Sequence, residues 1–123
     1  MDMNVTETAD GVTRVALDGR FDIQGAQQVD GRFQELAEKA KILVVDLSKV
    51  SFLASLGVRT LMVAAKTIIR RGHYIAVAGA DEGVEKVLRL TGFDELVGLY
   101  PNDVAAAASL TARAKEWESR ESS

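Results

Sequence analysis

The chain has 123 residues, 47% of them hydrophobic and 27% charged, with ten glycines, one proline and no cysteine. At this length folding hides roughly two-thirds of the surface the unfolded chain exposes, enough for one domain with its own core, so disordered, collagen-like and disulfide-framed classes are excluded. The absence of cysteine and the single His73 remove thiol chemistry and histidine-cluster metal sites, while 15 basic against 18 acidic residues, a net charge of −3, lacks the electrostatic footprint of a nucleic-acid binder.

Met1-Asp2-Met3-Asn4 is acidic and polar rather than a basic stretch leading into an apolar one, and no run of about 18 apolar residues follows, so a cytoplasmic protein without membrane insertion is expected. Residues 3–8 and 12–18 flank Ala9-Asp10-Gly11, and an Asp-Gly pair between two strand-like stretches predicts an antiparallel hairpin. From Gln24 to Ala40 the residues Ala26, Val29, Phe33, Leu36, Ala37 and Ala40 recur every third or fourth position, predicting a helix with one apolar stripe. Ile42-Leu43-Val44-Val45-Asp46-Leu47 is nearly continuous in apolar residues, the pattern of a strand covered on both faces. Residues 48–54 read as a loop.

A second helix is predicted from Leu56 to Arg71, with Val58, Leu61, Met62, Ala65, Ile68 and Ile69 at helical spacing, Arg70 and Arg71 in its last turn, and Gly72 as its stop. Tyr74 to Ala78 reads as another buried strand. A helix from Asp81 to Thr91 turns Val84, Val87 and Leu88 inward, Gly92 fits a left-handed terminating position, and Phe93 is placed to touch Leu88. Leu96 to Tyr100 follows as a short edge strand. The last helix carries Val104, Ala107, Leu110, Ala114 and Trp117 as its packing stripe. The expected fold is therefore α/β: one domain over residues 1–117, a mixed sheet of about five strands opened by a hairpin, four helices packed on it, and a flexible C-terminal tail over 118–123.

Several chemistries fail on spacing. A nucleophile elbow needs Gly-x-Ser-x-Gly, but Leu53 stands where the first glycine should be before Ser55. No phosphate-cradling Gly-x-x-x-x-Gly-Lys-Ser/Thr or Gly-x-Gly-x-x-Gly occurs. His73 reads as a polar turn residue after a helix end, and Arg59, Lys66, Arg70 and Arg71 as the solvated face of one helix. Asp46 ends a central strand as the phosphate acceptor of a response-regulator receiver would. A hairpin opens this chain, however, Asp18 and Asp22 are not adjacent, and no lysine follows the last strand.

What remains is a buried strand, a loop and a hydroxyl at a helix start. By position alone Ser55 reads as the helix N-cap, a hydrogen bond worth about 1 kcal/mol, and Asp22 as a cap or turn acid before the first helix. At these residues the sequence resembles the STAS domain family, in particular the bacterial anti-sigma factor antagonists. Gly19-Arg20-Phe21-Asp22 is similar to the family's segment before its first helix, and Val45-Asp46-Leu47-Ser48-Lys49-Val50 with Phe52 to its strand-and-loop signature. Ser55-Leu56-Gly57-Val58 resembles its phosphorylatable turn, Arg71-Gly72-His73 its helix-to-strand turn, and Leu90-Thr91-Gly92-Phe93 its Leu-Thr-Gly-Leu/Phe segment. The family's acceptor turn usually reads Asp-Ser-Ser/Thr-Gly, whereas this one reads Ala54-Ser55-Leu56-Gly57.

The resemblance implies a binding module rather than an enzyme. The unphosphorylated form would capture an anti-sigma factor with a serine-kinase fold, phosphorylation of Ser55 by that kinase would end the capture, and a metal-dependent PP2C-type phosphatase would restore it. ATP and metal would belong to those partners, leaving this chain without a cofactor. The implied partner-binding residues are Asp22, Ala54, Ser55, Leu56, Gly57 and Arg59, and Asp22→Ala and Gly57→Arg are expected to weaken binding without unfolding the domain. The alternative client is a lipid-transport ABC complex or a sensory assembly, in which STAS domains serve as subunits.

Overall fold

The computed structural model describes residues 1–121. Strands Asp2–Glu7 (β1) and Val12–Phe21 (β2) form the expected antiparallel hairpin, with Gly11 at a φ of 81° in its turn. The chain continues as helix Ile23–Lys39 (α1), strand Ile42–Leu53 (β3), helix Ser55–Arg70 (α2), strand Tyr74–Ala78 (β4), helix Glu82–Leu90 (α3), helix Phe93–Leu96 (α4), strand Gly98–Tyr100 (β5) and helix Asp103–Glu121 (α5). The sheet order is β1-β2-β3-β4-β5, with every pair after the hairpin parallel. Strand order thus follows chain order. Repeated crossovers of one hand then place α1 to α4 on the same face of the sheet.

Alternation along β2 and β3 divides the interior in two. Val15, Leu17, Leu43, Val45 and Leu47 point into the main core under α1, α2, α3 and α4. Val12, Ile42 and Val44 point the other way, with Ala76 and Ala78 of β4, into a smaller core closed by Ala106 and Leu110 of α5. The continuous apolar run of β3 is thereby explained, since both its faces are covered.

Several expectations need correction. The stretch 48–54 is not a loop, because β3 runs on to Leu53, paired with β2 through Arg20 opposite Phe52 and Phe21 opposite Leu53. Irregularities in the pairing, between Ala16 and Asp18 and between Gly19 and Arg20, break the alternation that would have revealed a strand. Since β4 pairs with β3 only from Ile42 to Asp46, the two longer strands project beyond it as a ribbon. The helix count rises from four to five, because Gly92 at a φ of 78° ends α3 and its carbonyl then accepts the Glu95 amide at 3.1 Å, starting the single turn α4 before β5. In α5 the buried positions are Ala106 and Leu110, with Ala107 and Ala114 beside them, whereas Val104 is 75% exposed and Trp117 54%. A run of alanines from Ala105 to Ala108 offers too little contrast in hydrophobicity for the sequence to fix which face turns inward.

α5 continues through Glu121, across positions 118–121 of the stretch expected as a tail, and the rest of that expectation, residues 122 and 123, lies outside the described residues. Arg71, expected to serve its own helix, instead donates to the carbonyls of Ala37 and Ala40 at 2.7 and 2.9 Å and so ties the end of α1 to the end of α2. No helix among the described residues is long and apolar enough to cross a membrane.

Candidate functional site

The parallel ribbon of β2 and β3 ends level, with the Ala54 amide donating to the Phe21 carbonyl at 3.0 Å. Both strands turn into helices at once, so the starts of α1 and α2 lie side by side. Asp22 is the N-cap of α1, its Oδ1 accepting from the Gly25 amide at 2.9 Å, while Oδ2 faces the Nε of Arg20 at 3.6 Å. The Gly25 amide, followed by Arg20, holds the Asp22 carboxyl below the usual carboxylate range, outweighing the opposite effect of partial burial. Gly25 is required here because a Cβ would lie 2.3 Å from the Arg20 carbonyl oxygen.

At the start of α2 the N-cap is Ala54 rather than Ser55, and no side chain caps the helix. Ser55 is the first helical residue and is exposed, so the expected capping role is not the one it plays. The first-turn amides, which need partners from outside the helix, have none from a capping side chain, and the positive end of the helix faces solvent beside the Ser55 hydroxyl.

Gly57 is buried, and a Cβ on it would lie 2.7 Å from the Phe21 carbonyl oxygen and 2.9 Å from the side chains of Leu53 and Phe21. It lets α2 settle onto the strand ends. Gly57→Arg would therefore disturb the fold itself and cannot serve as a clean binding variant. Leu56 and Arg59 line a groove of about 370 Å³ between α1 and α2, opposite Asp30 and Gln34 and beside Val63. Of the residues the sequence points to, Asp22, Ala54 and Ser55 share the ribbon end, Leu56 and Arg59 lie along the adjoining groove, and Gly57 shapes the base.

The fold brings to the same end three residues that the sequence did not assign to the site, Arg20 and Phe52 within the family-like segments and Ile23 outside them. Arg20 stacks over the Phe52 ring at 4.5 Å from the centroid, and Ile23, directly after Asp22, is 60% exposed. Their signal was present but faint: Phe52 and Ile23 are large apolar residues falling outside any buried period. Asp46 lies elsewhere, on the α5 side of the sheet, hydrogen-bonded by Arg14 and by the Ser48 amide at 2.9 Å, with Arg14 also paired to Asp103 at 2.7 Å. Its carboxylate is engaged in joining α5 to the sheet. Among the described residues no group of three or more His, Cys, Asp or Glu is placed to hold a metal ion.

The family model described as Mlab, STAS domain, matches residues 4–99, and the chain belongs to the STAS domain family. It is 26% identical over 102 residues to an anti-sigma F factor antagonist of Paenibacillus polymyxa, covering 81% of this chain and 87% of the relative. Among solved structures it is similar to an anti-sigma factor antagonist from Mycobacterium paratuberculosis, with a TM-score of 0.81, 25% identity, and 89% and 92% of the two chains covered. It is also similar to the STAS domain of a SulP transporter from Vibrio cholerae, with a TM-score of 0.66, 27% identity, and 93% and 88% covered.

Proposed function

We propose that this chain is an anti-sigma factor antagonist whose unphosphorylated form binds a serine-kinase-type anti-sigma factor and whose Ser55 is the phosphorylation switch. The observation that carries this reading is the exposed Ser55 on the first residue of α2, beside the capped start of α1. The similarity to antagonists in sequence and fold supports the same role. The binding face comprises Asp22, Ala54, Ser55, Leu56 and Arg59, with Gly57 setting the height of the helix beneath them. The chain acts in the cytoplasm as a binding module, without turnover of its own and without direct contact to nucleic acid. ATP belongs to the kinase and metal to a PP2C-type phosphatase.

Phosphate adds about −1.5 to −2 charges at neutral pH, and the uncapped first turn of α2 favours an anion by about 0.3 to 1 kcal/mol, so the fold accommodates it. At an interface the same group must shed water or meet opposed charge, and about 3 kcal/mol of net penalty is a factor of more than one hundred in affinity. Release then follows without a large conformational change. The test is mass spectrometry of the chain after incubation with each of the host's purified kinase-fold anti-sigma factors and ATP, followed by calorimetric titration of both forms. Phosphate on Ser55 and binding at least a hundredfold weaker are expected, whereas an unmodified Ser55 or equal affinities overturn the mechanism.

A second reading, a STAS subunit of a lipid-transport ABC complex or of a sensory assembly, is favoured by the description of the matching family and by the SulP domain similarity. Co-purification with a transporter ATPase or permease in place of an anti-sigma factor would select it.

A further inference from the structure

We infer that Arg20 is the specificity-determining charge of the binding face, presenting a fixed guanidinium to a carboxylate of the partner, and that Asp22 is its positioning residue. The identity of the partner rests on the antagonist reading above; the sign of the charge it must carry rests on the geometry that follows.

Asp22 is poorly available to a partner's cation. One carboxylate oxygen is taken by the Gly25 amide at 2.9 Å and the other faces Arg20 at 3.6 Å. What the pair offers outward is the rest of the guanidinium. The side chain of Arg20 is 63% exposed, and its contact with Asp22 runs through Nε. A long surface side chain normally loses much rotamer freedom on being captured. Here part of that loss is taken before binding, because the guanidinium carbon lies over the Phe52 ring at 4.5 Å from its centroid and Nε faces the Asp22 carboxylate at 3.6 Å. The planar fork that remains matches a carboxylate in two parallel hydrogen bonds.

The surroundings suit a contact of this kind. Phe52 is 41% exposed beneath the guanidinium and Ile23 60% beside Asp22, so an arginine is framed by apolar surface of the sort that dominates binding energy once water is excluded. On the far side of Phe52 a hollow is bordered by Asp81 and Glu82 at the start of α3. A partner carboxylate is repelled there and attracted at Arg20, which favours one register of docking as well as one sign.

The experiment titrates wild type, Arg20→Lys, Arg20→Gln and Arg20→Glu calorimetrically with each of the host's purified kinase-fold anti-sigma factors, at two salt concentrations, after thermal melts establish that the variants fold as wild type does. Affinity is expected to fall about tenfold for Arg20→Gln and about a hundredfold or more for Arg20→Glu, with Arg20→Lys between wild type and Arg20→Gln because an ammonium neither stacks nor forks. The salt dependence of wild-type binding should be reduced in Arg20→Gln. If instead the partner reads Asp22 with a cation, Arg20→Gln uncovers that carboxylate and binding tightens. Tighter or unchanged binding by Arg20→Gln, with wild-type binding intact, overturns the inference alone. Failure of every anti-sigma factor to bind wild type overturns the antagonist reading and this inference together.

Discussion

Asp46 holds a charge under α5 that it could not keep alone. Burial acts to raise its carboxyl, but the hydrogen bonds from Ser48 and the ion pair with Arg14 outweigh that and hold it below the ordinary value of 3.8. The folded state therefore resists protonation at pH values where the unfolded chain already binds protons. Stability from this group is complete above pH 3.8 and is lost as pH falls through the lowered folded value. Urea unfolding followed from about pH 5 to pH 2 should show a steep acid limb in wild type and a flatter one in Asp46→Asn. At the start of α2 the unfilled cap makes a second prediction. Ser55→Ala should leave stability within about 0.5 kcal/mol, since the hydroxyl caps nothing, whereas Ala54→Ser should add about 0.5 to 1 kcal/mol by supplying the missing acceptor. Denaturant midpoints of both variants check this, and a loss of about 1 kcal/mol or more in Ser55→Ala would restore a capping role to Ser55. Ser55 was legible as a helix-start hydroxyl, but whether such a residue is the cap or the first helical position depends on one residue of offset, which spacing does not resolve.

Elements became legible where one face is apolar and the other polar. The stripe of α1 is an example, with Ala26, Val29, Phe33 and Ala37 buried at the expected spacing. The β3 extension was hidden by irregular pairing, the facing of α5 by its alanines, and α4 by being a single turn. The link from Arg71 to α1 could not be read at all, because residues more than thirty positions apart meet only once the sheet sets α1 and α2 side by side. Its loss should be felt at that helix end. Arg71→Met would leave the Ala37 and Ala40 carbonyls without this donor and cost about 1 to 2 kcal/mol, with hydrogen exchange quickening first in the last turn of α1. Exchange rising uniformly along the chain would instead mark Arg71 as a support of the whole fold.

For the molecule as a whole, the switch and the fold are separable. The proposed acceptor sits at the end of the ribbon, outside both cores, so phosphoserine installed at position 55 should leave the thermal midpoint within about 3 °C of the unmodified protein, as differential scanning calorimetry would measure. A much larger fall would mean that the modification acts by unfolding the start of α2 rather than by altering the surface a partner meets.

Strand order that follows chain order also bears on how the protein is made. As the chain emerges from the ribosome, each new strand finds the edge it will pair with already in place, and the hairpin needs nothing that comes later. The second core has no such luck in timing. Val12, Ile42, Val44, Ala76 and Ala78 are all synthesised before Ala106 and Leu110 arrive to cover them. Until α5 clears the exit tunnel, the nascent domain carries a finished sheet with a bare apolar strip along one face, and this is the interval in which it is most exposed to chaperones and to its own neighbours.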